Sequence, residues 1–280
     1  VPSIFRPGLF AGQTAIVTGG ASGIGLCTAQ ILGELGARVA ICGRNPDKLE
    51  AGRLHLVARD VEVHAALCDI RNVEEIDTFV AGVGAAFGPA AILVNNAGGQ
   101  FPTAAAELSP RGWEAVIRNN LNGTFFMTQA VAKAHMIPAR RGRIVNVIAN
   151  IHRGFPGMVH TGAARAGVEN MSRTLAVEWA AHNVQVNAVA PGVIRTSGTA
   201  QYPPQLLEAG RLATPQKRFG TAEETAQLIV YLASFAASFV TGVTSYIDGG
   251  AHLWGDQWKV PDIPEPELPQ AVRDLGDPAD

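Results

Sequence analysis

The stretch Thr14-Ala15-Ile16-Val17-Thr18-Gly19-Gly20-Ala21-Ser22-Gly23-Ile24-Gly25 decides the fold of this chain. It opens on a short, mostly apolar run, the pattern of a strand covered on both faces. A glycine-rich turn follows at once, and a helical pattern begins at Gly23. A strand that turns through glycines into a helix gathers free backbone amides and the positive end of the helix dipole at one point. Glycine keeps the turn tight, lets amides approach an anion, and lets helix and strand pack closely. This geometry receives the pyrophosphate of a dinucleotide, which makes Gly19, Ser22, Gly23, Ile24 and Gly25 candidate contacts.

Outward from this segment, strand-like and helix-like runs alternate. Strands are expected at residues 14–17, 38–41, 61–67, 91–94, 143–148, 184–189 and 244–247, and helices at 23–35, 46–59, 73–87, 113–136, 163–181 and 222–236. Repeated β–α alternation predicts a single α/β domain over residues 1–253, a doubly wound Rossmann-type sheet of seven parallel strands flanked by helices. Two segments interrupt the pattern. Residues 195–219 are polar and rich in Pro and Gly, and they follow a strand end, where ligands bind in such sheets, so they read as a substrate lid. Residues 254–280 are Pro-rich and acidic and read as a tail.

Composition narrows the function. The chain has 280 residues with a formal net charge of −2, too balanced for a general nucleic-acid or membrane-surface binder. No apolar run reaches the roughly 18 residues needed to cross a bilayer. The start, Val1 to Phe10, lacks the charged and apolar regions of a signal peptide. Cys27, Cys42 and Cys68 are far apart and odd in number, so neither a disulfide framework nor a metal site is expected. A reducing, cytoplasmic setting is the expectation.

The second strand ends in Gly43 and Arg44, with no acidic residue to accept bonds from a ribose 2′-hydroxyl. A guanidinium here suits the 2′-phosphate of NADP(H), with Lys48 adding charge one turn on. The alternative is that Arg44 is a solvated surface arginine.

These residues resemble the short-chain dehydrogenase/reductases. Thr18 to Gly25 has their Thr-Gly-x-x-x-Gly-x-Gly spacing, and Asn95-Asn96-Ala97-Gly98 matches their motif after the fourth strand. Asn120 matches their helix asparagine, Pro191-Gly192 their nicotinamide turn, and Tyr246-Ile247-Asp248-Gly249-Gly250 their closing segment. The resemblance covers residues 10–252. It implies that Asp69, with Ile70, meets the adenine, that Asn96, Ala97 and Gly98 line the cleft, that Val193 binds the carboxamide, and that Thr196 sits near the phosphates. It also implies a homotetramer, or at least a dimer, paired through the long helices at 113–136 and 163–181.

The family's Ser, Tyr and Lys set is missing. Where Tyr-x-x-x-Lys belongs the chain reads Thr161-Gly162-Ala163-Ala164-Arg165, and the serine place holds Ile148 or Ala149. The only tyrosines are Tyr202, Tyr231 and Tyr246, none near this segment. Gly98-Gly99-Gln100-Phe101, Gly154-Phe155-Pro156 and the run from His160 to Val168 resemble the trans-2-enoyl-CoA reductases of the 2,4-dienoyl-CoA reductase branch. That resemblance implies hydride transfer from NADPH to the conjugated double bond of an enoyl or dienoyl thioester. Glu169 stands where those enzymes place a tyrosine, and the final Asp-Pro-Ala-Asp does not match their peroxisomal signal. On this reading Thr161 donates to the thioester, Arg165 binds the nicotinamide ribose, Asn120 holds local structure or a water, and His160 has a minor role as an acid. Gln100, Phe101, Phe155 and Tyr202 are the candidate substrate contacts, and Arg153, Arg195, Lys217 and Arg218 are candidates for CoA phosphates. Two other readings stay open: a carbonyl reductase with His160 or Tyr202 as an unusual acid, and a non-catalytic NADP-binding subunit. No metal is expected.

Overall fold

The computed structural model describes residues 5–196, 198–199, 202–254 and 258–262. Its core is a parallel sheet of β1 (Thr14–Thr18), β2 (Arg38–Gly43), β3 (Val63–Leu67), β4 (Ala90–Asn95), β5 (Gly142–Val147), β6 (Val184–Pro191) and β9 (Thr244–Ile247), in the order β3-β2-β1-β4-β5-β6-β9. The strand order reverses between β1 and β4. The carboxyl ends of these two strands therefore open a crevice, the usual ligand position in such sheets.

The strands read as continuous apolar runs because each face buries its own core. Ala15, Val17, Val39, Ile41, Ile92, Val94, Val145 and Val147 point to one side. There they meet α1 (Gly23–Glu34), α2 (Pro46–Val57) and α9 (Ala222–Ala233). Ile16, Ala40, Leu93, Ile144 and Val186 point to the other side, against α3 (Val73–Phe87), α5 (Gly123–Val131) and α7 (Val159–Glu178). Local signals set the helix ends. Asn45 and Asn72 cap α2 and α3 through their side chains, Thr221 and Glu224 form a capping box on α9, and Gly88 ends α3 at φ 75°.

The expected helix at 113–136 is not one regular helix. Ser109 caps α4 (Pro110–Ile117), a π turn covers Arg118–Asn122, α5 follows, and a second π turn covers Ala132–Met136 before α6 (Ile137–Ala139). The first distortion has a cause at Asn120. Its side-chain amide donates to Val116 O at 3.0 Å, so a side chain enters the helical ladder. Helix α7 starts at Val159, one turn before the expected 163.

The segment expected to be a lid contains a short parallel pair, β7 (Ile194–Arg195) with β8 (Gly220–Thr221), and helix α8 (Pro204–Leu212). Of the tail, Trp254 lies 4.7 Å from Lys217 Nζ, and Asp262 pairs with Arg211. Residues 255–257 and 263–280 lie outside the described residues. Cys27, Cys42 and Cys68 are buried and not joined in a disulfide, and Cys27 Sγ donates to Glu223 Oε1 at 3.1 Å. Among the described residues no helix is long and apolar enough to cross a membrane, and no cluster of three metal-ligating side chains occurs.

Candidate active site

At the start of α1, Ser22 makes no side-chain cap bond, which leaves the first-turn amides of Gly23, Ile24 and Gly25 without a capping partner. The loops after β1 and β4 are stitched together beside them. Thr18 Oγ1 accepts from the backbone N–H of Asn96 and of Ala97, both at 3.0 Å, and Asn96 Nδ2 donates to Thr18 O at 3.1 Å and Gly19 O at 3.2 Å. Gly19 takes φ 63°, and a Cβ on Gly25 would lie 2.3 Å from Gly19 O. Neither position accepts a side chain without moving backbone.

A cavity of about 230 Å³ runs from Ser22 and Arg44 past Ile70 to Ala97, Gly98 and Asn119. Cys42 and Cys68 also line it. Arg44 is exposed at its rim and makes no hydrogen bond or ion pair with another described residue. Lys48 is exposed one turn along, its backbone N–H bonded to Asn45. Unbonded amides, a glycine cradle and a cationic rim fit a dinucleotide phosphate chain. Asp69 is less available than the sequence implies. Arg71 grips its carboxylate through Nε and Nη2 and holds it below the ordinary carboxylate range, the hydrogen bond being the main cause.

At the far end, Pro191 O accepts from Asn150 N at 3.0 Å, Gly192 N donates to Ile247 O at 3.0 Å, and Val193 O accepts from Gly220 N at 3.0 Å. Thr196 packs against Gly23, with a Cβ there only 3.3 Å from its methyl. The carboxylate that organises this end is Asp248, which the sequence reading did not single out. It is 8 % exposed and accepts from Asn150 Nδ2, Gly250 N, His252 N and His252 Nδ1. A Cβ on Gly192 would lie 2.9 Å from its Cα. His252 stacks on Tyr246 with centroids 4.1 Å apart.

The chemistry-bearing residues gather at the start of α7. Arg165 is buried, and its Nη1 donates to Val147 O at 3.0 Å. Among the described residues no carboxylate is paired with it and its Nε has no hydrogen-bond partner, and burial pushes its pKa down to about 10. Its guanidinium lies against Gly98, where a Cβ would come within 2.4 Å of Nη2. Asn120 holds the same loop, accepting from Gly99 N at 3.2 Å and donating to Gly99 O at 2.7 Å. With Val116 also bonded, its amide is fully engaged, which supports the local-structure role.

His160 and Thr161 are both completely buried. Thr161 N donates to His160 Nδ1 at 2.8 Å, and Thr161 Oγ1 lies 3.3 Å from the same nitrogen, so the hydroxyl read as a thioester donor is engaged with its neighbour. Phe101 sits on His160 with centroids 4.7 Å apart, Phe155 packs against Gly162, and Gln100 Nε2 donates to the Tyr202 hydroxyl at 3.3 Å. Ile148 is buried and supplies no hydroxyl. Glu169 bonds Arg173 and Thr244, on the β9 side of α7. Lys217 is buried with Nζ on Leu212 O, Arg218 is ion-paired with Glu224, and Arg195 stacks over Phe219. Lys217 and Arg218 are thus engaged by neighbouring groups, while Arg195 and Arg153 are exposed. A buried chain of amides and hydroxyls that the sequence did not suggest, Thr128–Asn95–Asn146–Ser172, ties β4 and β5 to α5 and α7.

The reversed strand order, the glycine-lined phosphate cradle and the polar cleft above it define a nicotinamide-dinucleotide-binding oxidoreductase of the Rossmann type. A family model described as enoyl-(acyl carrier protein) reductase matches residues 19–252, and the chain belongs to the short-chain dehydrogenase/reductase family. A probable 2,4-dienoyl-CoA reductase of Bacillus subtilis is 37 % identical over 249 residues, 86 % of this chain and 97 % of that protein. The solved citronellol catabolism dehydrogenase of Pseudomonas aeruginosa is 47 % identical with TM-score 0.82, over 90 % of this chain and all of that one. An actinorhodin polyketide ketoreductase variant solved with NADPH is 32 % identical with TM-score 0.83, over 89 % of this chain and all of that one.

Proposed function

We propose that this oxidoreductase uses NADPH to reduce the conjugated carbon–carbon double bond of an enoyl or dienoyl thioester. The observation that carries the reading is the start of α7. A buried imidazole, a threonine and an unpaired guanidinium occupy the ground where a ketone reductase of this family keeps a phenol and a lysine.

Reducing a ketone leaves an alkoxide that must be protonated, a task for a well-placed acid. Reducing an enoyl thioester leaves an enolate, whose charge gathers on the carbonyl oxygen and needs only hydrogen-bond donors and a positive potential. NADPH, when bound, supplies the hydride. The chain holds its phosphates at the start of α1, its 2′-phosphate at Arg44 and Lys48, and its nicotinamide ribose at Arg165. Gln100, Phe101, Phe155 and Tyr202 would form the acyl pocket, and a CoA carrier would lie over the lid. The resemblance to a probable dienoyl-CoA reductase supports this reading. The carbonyl-reductase alternative keeps one supporting feature, the Tyr202 hydroxyl beside Gln100.

The test is kcat/KM with NADPH for a trans-2-enoyl-CoA, a dienoyl-CoA and a 3-oxoacyl-CoA of equal chain length. The conjugated alkenes should be the better substrates; a better 3-oxo substrate overturns the assignment. We also propose a homotetramer joined across α5 and α7, where Val177 is 78 % exposed. Light scattering at micromolar concentration should give four times the chain mass, and a monomer would refute it.

A further inference from the structure

We infer that His160, rather than Thr161, donates the hydrogen bond to the substrate carbonyl, with Thr161 as the group that sets its tautomer; this rests on the thioester-reductase reading above.

The argument starts from a proton that can be placed. A backbone amide can only donate, so the 2.8 Å bond from Thr161 N makes His160 Nδ1 an acceptor. The ring then carries its proton on Nε2. The Thr161 hydroxyl, 3.3 Å from Nδ1, shares the same lone pair and reinforces that tautomer. Nε2–H is thereby a donor, and it is buried without a hydrogen-bond partner among the described residues, in a residue with no exposed surface. Buried donors without acceptors are rare, because leaving one unmet is costly, and those that persist call for a reason.

The surroundings supply one. The ring that lies on His160 is Phe101, 40 % exposed. It belongs to the same loop as Gly98 and Gly99, which Arg165 and Asn120 hold from below. The proposal requires that an acyl group entering beside Gln100 and Phe101 bring its carbonyl oxygen to the start of α7, where this N–H is already stripped of water. Such a donor stabilises developing negative charge without having to reorganise.

The step balances without proton loss from His160. With NADPH bound, its hydride would form the new bond at the β-carbon as the reductant's C–H bond breaks and leaves NADP+. The π electrons move to the carbonyl oxygen, which accepts from Nε2–H. Water would then give a proton to the α-carbon as the carbonyl re-forms, and the hydroxide left would take up a proton from solvent.

Three readouts test this. In histidine-labelled protein, 15N NMR at neutral pH should show His160 protonated at Nε2 and bare at Nδ1; the other tautomer or an imidazolium overturns the inference. With NADP+ present, isotope-edited infrared spectra of bound trans-2-hexenoyl-CoA should show a carbonyl stretch lowered in the parent protein and in Thr161→Ala, and restored toward the free value in His160→Phe. His160→Gln keeps an N–H donor and should recover part of the shift. Turnover should fall about 100-fold in His160→Phe with NADPH affinity retained, the retained affinity also showing that the variant folds. A shift that persists in His160→Phe, or one lost only in Thr161→Ala, overturns the inference. If the carbonyl shift in 3-oxoacyl-CoA depends on His160 while enoyl-CoA is not reduced, the donor assignment stands and the reaction assignment falls.

Discussion

Replacing Arg165 by methionine should separate stability from function. The guanidinium is buried with one neutral acceptor, Val147 O, and no counter-charge. Its fall from the ordinary guanidinium range to about 10 corresponds to about 3 kcal/mol, at about 1.4 kcal/mol for each tenfold change in proton affinity. The sign follows from linkage. The folded state binds the proton more weakly than the unfolded chain, so the penalty stands in full below about pH 10 and fades only as the pH rises past that value toward the ordinary guanidinium range. At neutral pH the buried charge therefore works against folding. Methionine is similar in length, carries no charge and removes the cost. Against this, the charged hydrogen bond to Val147 is lost, worth about 1.5–3 kcal/mol.

The balance is a gain of between roughly zero and 2 kcal/mol for the cofactor-free protein. A chain of this size shifts by about 2–4 °C per kcal/mol, so the apo melting temperature should stay level or rise by a few degrees. Most substitutions of buried residues move it the other way. On the proposed role of Arg165 at the nicotinamide ribose, NADPH affinity and turnover should both collapse. The assay is thermal unfolding without cofactor, beside cofactor titration of the same sample. A fall of more than about 4 °C without cofactor, or unaltered NADPH binding, would refute the reasoning.

Three further outcomes follow from the same geometry. Arg44→Asp should weaken NADPH about 10- to 100-fold while sparing NADH, measured as paired dissociation constants; equal affinities in the parent protein would remove the basis for a 2′-phosphate site. Gly98→Ala puts a methyl 2.4 Å from Arg165 Nη2, so it should impair cofactor binding in the parent and do less harm in the Arg165→Met background; equal losses in both would show that the two sites are uncoupled. Asp248→Ala strands Asn150 and His252 and should cost about 2 kcal/mol in denaturant unfolding, with weaker cofactor binding as Gly192 loses its support.

How much of this was readable in advance depended on how local the cause is. The sheet was legible because its strands are short and apolar on both sides, and Gly19 and Gly25 announced the phosphate cradle because a Cβ there has nowhere to go. The π turn at Asn120 was not legible: helical periodicity runs through it, and only one side chain reaching back to Val116 makes the difference. Asp248 could have been suspected, since an acidic residue before two glycines makes local turn bonds readily. Its reach to Asn150, 98 residues away, needed the fold. Asp69 was visible as a cofactor candidate, yet the grip of Arg71, two residues on, was not weighed. Lys217 and Arg218 meet Leu212 O and Glu224 because the lid folds back on them, which polar composition alone does not reveal.

The two departures at α7 make chemical sense as a pair. An acid for carbonyl reduction must give up its proton near neutral pH, so it should titrate there. Arg165 does not: even lowered by burial to about 10, it keeps its charge at neutral pH. His160 Nε2–H, fixed as the neutral tautomer by Thr161 N, is a donor that would have to become an anion to lose its proton. Neither group is suited to deliver a proton, and each favours negative charge on an oxygen nearby. The guanidinium does so through a field little screened by water, the imidazole through a directed bond. Gly98, with no side chain to fill the space, keeps the guanidinium against the cleft loop, and Asn120 fixes that loop through Gly99. An oxygen that must carry charge for the life of an enolate gains from both groups. An alkoxide awaiting a proton gains far less, and on that difference rests our proposal that an alkene, not a ketone, is the substrate.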